Sequence, residues 1–229
     1  MANKNKKLNM AARKLVMITS PRSHVAEQFR TLRTNINFSS PDKDIQTIVV
    51  TSAAPSEGKS TTAANLAIVF AQEGKKVLLI DGDMRKPTVH YTFRTQNTPG
   101  LSSVLTRHCQ LNAAIKSTYV ENLDLLTCGP IPPNPAELLA SKSMDALLLK
   151  VKNIYDLVIF DSPPILSVAD GQIIANKCEG TILVLKSGVT DKQKAVKAKE
   201  TISLSNSKLI GVVLNNFALS KGTMEYHYV

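Results

Sequence analysis

The stretch from Thr47 to Thr62, T-I-V-V-T-S-A-A-P-S-E-G-K-S-T-T, constrains the fold more than any other part of this chain. Ile48 to Val50 are an unbroken β-branched run, the pattern of a strand buried on both faces, and an alanine-rich run with helical spacing begins at Lys59. Between them lies a loop ending in Gly58, Lys59 and Ser60. Strand, loop and helix in that order cradle phosphate, because backbone N–H groups at a helix N-terminus satisfy an anion only where the chain can approach it closely. Gly58 permits the approach, Lys59 supplies a point charge for the β and γ phosphates, and Ser60 offers its hydroxyl to Mg²⁺. Ala53 stands where the pattern G-x-x-x-x-G-K-[ST] asks for its first glycine, so the match rests on the other positions and on the flanking strand and helix. Ser56, Glu57, Gly58, Lys59, Ser60 and Thr61 are the candidate nucleotide contacts.

Carboxylates recur at the ends of apolar strands. Lys76 to Asp81, K-V-L-L-I-D, reads as a buried strand with Asp81 and Asp83 at its C-terminal end, and the helix before it, from about Lys59 to Gln72, ends at Gly74. Tyr155 to Asp161, Y-D-L-V-I-F-D, is a second such strand, and its final acid, followed by S-P-P, has the Walker B pattern of an aspartate that holds Mg²⁺ through water. Further strands are expected at Leu123–Thr127, Thr181–Lys186 and Leu209–Asn215, with short helical pieces at Leu101–Leu105 and Leu111–Ile115. The alternation predicts an α/β fold, a doubly wound and mostly parallel sheet with helices on both faces and right-handed crossovers. Ligands of such sheets bind beyond the carboxyl ends of the strands, so the acids should face the phosphate loop. In G-P-I-P-P-N-P-A-E-L-L, Gly129 to Leu139, four prolines forbid regular structure until Pro135 opens a helix as its first residue.

With 229 residues and 43% hydrophobic content, the chain can bury a substantial core as one domain. No stretch reaches the ~18 consecutive apolar residues needed to span a bilayer, and no signal peptide is recognisable, so a cytoplasmic protein is expected. The three cysteines, Cys109, Cys128 and Cys178, have no metal-ligand spacing and suit a reducing compartment. The net charge of +10 is uneven: Lys4, Lys6, Lys7, Arg13 and Lys14 crowd an N-terminal arm, drawn at 1–22. An anionic membrane surface attracts such an arm by about 1 kcal/mol per basic residue, but charge alone does not choose between membrane, nucleic acid and solvent. The main domain is drawn at 23–216 and a C-terminal tail at 217–229.

From His24 to Phe38, Val25, Phe29, Leu32 and Ile36 mark one face of an amphipathic helix with Ser23 as its N-cap. Glu27, Arg30 and Arg33 form a charged stripe on it, which on residues alone reads as a solvated face with an i,i+3 pair worth a few tenths of a kcal/mol. Lys192, Lys194, Lys197 and Lys199, within Thr190–Ser205, also read as a solvated face. The last dozen residues lack periodicity and end M-E-Y-H-Y-V, holding two of the chain's five tyrosines, Tyr226 and Tyr228, which are either chance or substrates.

Taken together, these segments resemble the bacterial tyrosine kinases that control capsule and exopolysaccharide synthesis, over nearly the whole chain from about Val25. The diagnostic parts are E-Q-F-R-T-L-R (Glu27 to Arg33), P-S-E-G-K-S-T (Pro55 to Thr61), L-L-I-D-G-D-M-R-K-P (Leu78 to Pro87), G-P-I-P-P-N-P-A-E-L-L and V-I-F-D-S-P-P (Val158 to Pro164). The resemblance implies a P-loop NTPase fold of the MinD and ParA type, with ATP and Mg²⁺ as cofactors. It implies Lys59, Asp81 and Asp83 as catalytic residues, the two acids being the Walker A′ pair, and Ser60, Asp83 and Asp161 as the metal site. Asn215 is an adenine contact by analogy with related ATPases. Glu27, Arg30 and Arg33 would belong to an E-x-x-R-x-x-R motif that builds a homo-oligomeric ring, commonly an octamer. Tyr226 and Tyr228 would be the autophosphorylation cluster, reached by a neighbouring subunit, and their small number is where the chain departs from the fullest family pattern. Short members of the family resemble the cytoplasmic half of a two-protein system, recruited to the inner face of the membrane and activated by the cytoplasmic tail of a transmembrane adaptor. Protein tyrosine substrates and a tyrosine phosphatase counterpart follow, and nucleic acid is not expected. A tyrosine hydroxyl titrates near pH 10 when unperturbed, so a carboxylate that takes its proton late in the transfer would help, and Asp81 is the candidate base. The strongest rival is a partitioning or positioning ATPase of the MinD and ParA type, whose loop carries an extra lysine in K-G-G-x-G-K. Ala54 to Glu57 contain none. A non-catalytic nucleotide-binding subunit of an export complex is a second rival.

Overall fold

The computed structural model describes residues 15–40 and 44–217. The basic residues 4–14 of the arm and the tail tyrosines Tyr226 and Tyr228 lie outside the described residues.

Seven strands form one sheet: β1 (Thr47–Ser52), β2 (Val77–Asp81), β3 (Ile115–Ser117), β4 (Leu123–Leu126), β5 (Leu157–Asp161), β6 (Gly180–Lys186) and β7 (Lys208–Asn215). Their spatial order is β3-β4-β2-β5-β1-β6-β7, and every pairing is parallel except β3 with β4. The central strands β1, β2 and β5 are buried at every position, as their continuous apolar runs require. Successive residues enter two separate cores. Ile48, Val50, Leu79, Ile159 and Ile182 face one layer, made of α1 (Val16–Thr19), α2 (His24–Phe38), α3 (Lys59–Gln72) and α4 (Val89–Thr92). Val49, Leu78, Ile80, Val158, Phe160 and Leu183 face the other. That second layer consists of α5 (Leu101–Leu105), α6 (Leu111–Ala114), α7 (Pro135–Ala140), α8 (Lys142–Lys152), α9 (Ala169–Lys177) and α10 (Lys192–Ser203). The doubly wound arrangement expected from the strand pattern is therefore present.

Helix α3 is buried along nearly its whole length, and Ala63, Ala64, Ala67 and Ala71 let its backbone lie close on the sheet. Its two ends are set by glycines at positive φ, Gly58 at 102° and Gly74 at 97°. Helix α2 begins where the sequence indicates, with the Ser23 hydroxyl accepting from the Ala26 N–H at 3.2 Å. Its buried stripe differs from the expected one. Ala26 and Ile36 are buried, Phe29 and Leu32 are half-buried, and Val25 is 53% exposed. Phe29, Leu32 and Ile36 lie on the expected face, and only at its start does Ala26 take the inward place expected for Val25. Residues 15–22, drawn with the arm, already pack: Leu15 and Met17 are buried, and the Met17 N–H donates to Asn65 Oδ1 at 3.1 Å. The short β3 was not expected; it is an antiparallel edge of three residues, none fully buried, too short to show a period. The four lysines Lys192, Lys194, Lys197 and Lys199 are exposed, as read. Cys109, Cys128 and Cys178 are free thiols.

The proline run is held by backbone contacts as well as by its own rings. Pro135 is the first residue of α7, and the loop before it is clamped to residues 97–102. Asn97 donates to the Gly129 carbonyl at 2.6 Å and accepts from the Gly129 N–H at 3.2 Å, while the Ser102 hydroxyl donates to the Pro130 carbonyl at 2.6 Å. The chains approach so closely that a Cβ on Gly100 would lie 2.3 Å from the Gly129 nitrogen and 2.4 Å from the Thr127 oxygen. Gly100→Ala is therefore expected to cost about 2 kcal/mol, the range of an overpacked core, read as a lowered thermal unfolding midpoint. An unchanged midpoint would mean that the two backbones separate freely.

Candidate active site

The site is built on a coincidence of register. Strands β2 and β5 pair in parallel so that Asp81 stands directly beside Asp161, and β5 pairs with β1 so that Asp161 stands beside Val50, just before the phosphate loop. Three strands thereby deliver two carboxylates and one loop to the same end of the sheet. Lys59, the first residue of α3, reaches into this group. Its Nζ lies 3.1 Å from Ser60 Oγ, 3.2 Å from Asp83 Oδ2 and 3.4 Å from Asp161 Oδ1. Burial pulls the Lys59 amine toward neutrality, but the Asp161 and Asp83 carboxylates overrule it and its pKa is raised, so it is an ammonium.

Asp81 is fully buried and holds backbone. Its Oδ2 accepts from the Thr88 and Val89 N–H groups, both at 2.9 Å, and its Oδ1 accepts from the Asp83 N–H at 3.3 Å. The loop from 82 to 89 is thus wrapped around one carboxylate. Burial first, and the neighbouring Asp161 second, push the pKa of Asp81 up to about 7. Asp83 faces Lys59 and accepts from the Lys86 N–H at 3.0 Å. Asp161 keeps one oxygen, Oδ2, buried without a hydrogen-bond partner. The Cys128 thiol, at the end of β4, is pushed up to about 12 by burial and then by Asp81 and Asp83, so it stays protonated and is no nucleophile.

An orphaned carboxylate oxygen beside two more acids and a serine hydroxyl suits a hard cation. Among the described residues no three His, Cys, Asp or Glu side chains form a closed metal cage. Mg²⁺ does not require one, since it keeps several waters and takes only one or two carboxylates plus substrate phosphates. Ser60, Asp83 and Asp161 therefore fit an open Mg²⁺ site.

The phosphate loop itself is tied down on its far side. Ser56 sits at φ 65° and Gly58 at 102°, a turn that aims successive N–H groups into the loop. Glu57 points inward: Oε2 accepts from the Ala54 N–H at 2.9 Å and Oε1 from the Thr190 hydroxyl at 2.6 Å. Asn215, at the end of β7, donates from Nδ2 to the Glu57 carbonyl at 2.9 Å, so its side chain rests on the loop. Thr61 accepts on its carbonyl from Asn65 Nδ2 at 2.9 Å, inside α3.

Two participants escaped the sequence reading. Arg85 makes a two-point pair with the fully buried Asp170 of α9, Nε to Oδ2 at 2.9 Å and Nη2 to Oδ1 at 3.1 Å. It ties the loop after β2 to the helix after β5. Thr190 belongs to no motif, and only the fold brings it to Glu57. The stripe on α2 lies outside this group. Glu27 pairs with Arg30 at 2.8 Å, Arg30 also donates to the Pro21 carbonyl at 2.8 Å, and Arg33 meets Glu73 at 3.3 Å and the Val69 carbonyl at 3.4 Å.

A family model described as an AAA domain matches residues 45–187, more than half of the chain. The chain is 54% identical over 216 residues to the tyrosine-protein kinase YwqD of Bacillus subtilis (strain 168), covering 94% of this chain and 91% of that protein. The crystal structure of the chimerical protein CapA2B2 superposes with a TM-score of 0.86 at 44% identity, covering 90% of this chain and 92% of the other. The cell division ATPase MinD of Pyrococcus furiosus shares the fold, with a TM-score of 0.66 at 21% identity over 77% of this chain and 74% of its own.

The raised affinity of Asp81 has a measurable consequence in the metal-free protein. The folded chain keeps a proton up to about pH 7 that the unfolded chain releases near pH 4. The contribution of Asp81 to stability is therefore greatest below pH 4 and is lost progressively as pH rises to about 7. Asp81→Asn, neutral throughout, is expected to gain in thermal midpoint relative to the parent between pH 5 and pH 7.5. A difference that stays constant across that interval would show that Asp81 titrates normally.

Proposed function

The chain belongs to the bacterial tyrosine kinases, and from that premise we propose that it transfers the γ-phosphoryl group of ATP, with Mg²⁺, to tyrosine hydroxyls that include its own Tyr226 and Tyr228. One observation supports this chemistry above the rest: Lys59 Nζ lies within 3.4 Å of Ser60, Asp83 and Asp161 at the carboxyl end of a parallel sheet. Phosphoryl transfer passes through a loose transition state and asks the protein for positioning and charge neutralisation more than for covalent chemistry.

In this reading the N–H groups of Ser56 to Thr61 bind the phosphate oxygens, and the Lys59 ammonium turns from the carboxylates to the β and γ phosphates. Mg²⁺, held by Ser60, Asp83 and Asp161, would supply charge neutralisation between the phosphates. The acceptor proton goes to Asp81, the carboxylate at the end of β2 beside Asp161. To take it, Asp81 gives up one of the N–H bonds by which it holds Asp83, Thr88 or Val89. By analogy with related ATPases, Asn215, whose side chain rests on the loop, contacts the adenine.

The rest of the proposal rests on family resemblance. Glu27, Arg30 and Arg33 build a ring of subunits, and Tyr226 and Tyr228 are modified by a neighbour in it. A transmembrane adaptor recruits the chain from the cytoplasm to the inner face of the membrane and activates it, and a tyrosine phosphatase reverses the modification. The pathway controlled is capsular or extracellular polysaccharide synthesis and export. Among the described residues no helix is long and apolar enough to cross a membrane, consistent with docking through a partner.

Incubation with γ-labelled ATP and Mg²⁺ distinguishes the kinase from its rivals. Label on tyrosine is expected; free phosphate alone would indicate an ATPase of the MinD type, and neither would indicate a binding subunit. Lys59→Met is expected to lower transfer about 100-fold or more, as removal of a donor to developing charge does. Mixing Lys59→Met chains with active chains that lack the tail tests the ring: label on the Lys59→Met chain is expected, and its absence would overturn modification between subunits.

A further inference from the structure

A carboxylate in the middle of a phosphate-binding loop is an electrostatic liability, because it sits where several negative charges must bind. Glu57 immediately precedes Gly58 and Lys59, yet it is only 2% exposed. Its charge is turned away from the mouth of the loop and satisfied by two donors, the Ala54 N–H at 2.9 Å and the Thr190 hydroxyl at 2.6 Å. Thr190 is oriented in turn. Its Oγ1 accepts from the Lys186 N–H at 2.8 Å, which leaves its single proton for Glu57. The turn that carries Thr190 closes with its own N–H on the Lys186 carbonyl at 2.9 Å, and Ser187 donates to the Asn215 carbonyl at 2.9 Å. Asn215 completes the ring by holding the Glu57 carbonyl at 2.9 Å. Side chain and main chain of Glu57 are therefore both fastened to the β6 and β7 end of the sheet.

We propose that Thr190 is a positioning residue for nucleotide binding, which holds the Glu57 carboxylate away from the phosphates and so presets the loop. The inference deepens the nucleotide-binding part of the proposed function and does not depend on tyrosine being the acceptor. Thr190→Val keeps the shape and removes the donor. The buried carboxylate then lacks one of its two donors, and its place beside the phosphate-binding loop is no longer fixed. ATP, with one phosphate more than ADP, meets the greater repulsion.

The test is titration of the full chain with Mg²⁺ and either ADP or a non-hydrolysable ATP analogue, with thermal midpoints measured without nucleotide to separate folding from binding. Thr190→Val is expected to weaken the ATP analogue about tenfold, the effect of losing a hydrogen bond to a charged group, and to weaken ADP less. Thr190→Ser, which keeps the hydroxyl, is expected to bind within about twofold of the parent. In a Glu57→Gln background, whatever its own affinity, the loss caused by Thr190→Val is expected to shrink, because the charge it exposes is gone. Thr190→Ala, which also lacks the hydroxyl, replaces Thr190→Val where that variant does not fold. Parent-like binding by the hydroxyl-free variants, or an equal loss in the Glu57→Gln background, overturns the proposal. Nucleotide binding without label on tyrosine would count against the kinase reading alone.

Discussion

Two aspartates at one register position on neighbouring buried strands repel each other, and an ammonium paired with one of them, Asp161, offsets part of that repulsion. Asp81 and Asp161 are both fully buried, and like charges so placed cannot both stay ionised without a cation. Lys59 is that cation, and its position is not negotiable. It must come from the first turn of a helix that begins directly beyond β1, the strand beside β5. That requirement propagates outward. The order β2-β5-β1 at the centre of the sheet brings acids and loop to one edge, and an alanine-rich α3 lets the helix lie close enough for Lys59 to reach.

Around that charge group the two flanks of the sheet do different work. On the β6 and β7 side, Thr190 and Asn215 grip the phosphate loop through Glu57. On the β2 and β4 side, Asp81 pins the loop from 82 to 89, Arg85 joins that loop to α9, and Asn97 and Ser102 brace the proline run. Both flanks are braced around one ammonium, which suits a phosphoryl-transfer site, since catalysis there comes from groups already aimed at developing charge.

What the sequence made legible follows from which physical signals are local. The phosphate loop, the apolar strands and the acids at their ends are read within a few residues, and each of these elements lies where its pattern indicates. The stripe of α2 was legible at Phe29, Leu32 and Ile36 and missed only at its start, where the buried Ala26 carries little hydrophobic signal. Strand β3 was invisible because three half-exposed residues cannot show a period. Thr190 lies 133 residues from Glu57, and nothing in its neighbourhood betrays the contact. Asn215 was singled out by analogy as a base contact, and the structure adds a hydrogen bond to the loop that no local pattern announces.

The same crowding that burdens the fold is what suits it to a cation. Pushing the pKa of Asp81 up to about 7 means that the folded chain near neutrality carries an acid it would rather keep protonated. Any cation that enters beside Ser60, Asp83 and Asp161 relieves that repulsion, and linkage requires that whatever the cation gains from the acids, the acids gain from the cation. Asp161 Oδ2, buried and unpartnered, is where the fold bears this cost most plainly. A cation bound there would stabilise the strand ends by the same free energy that the acids lend to its binding.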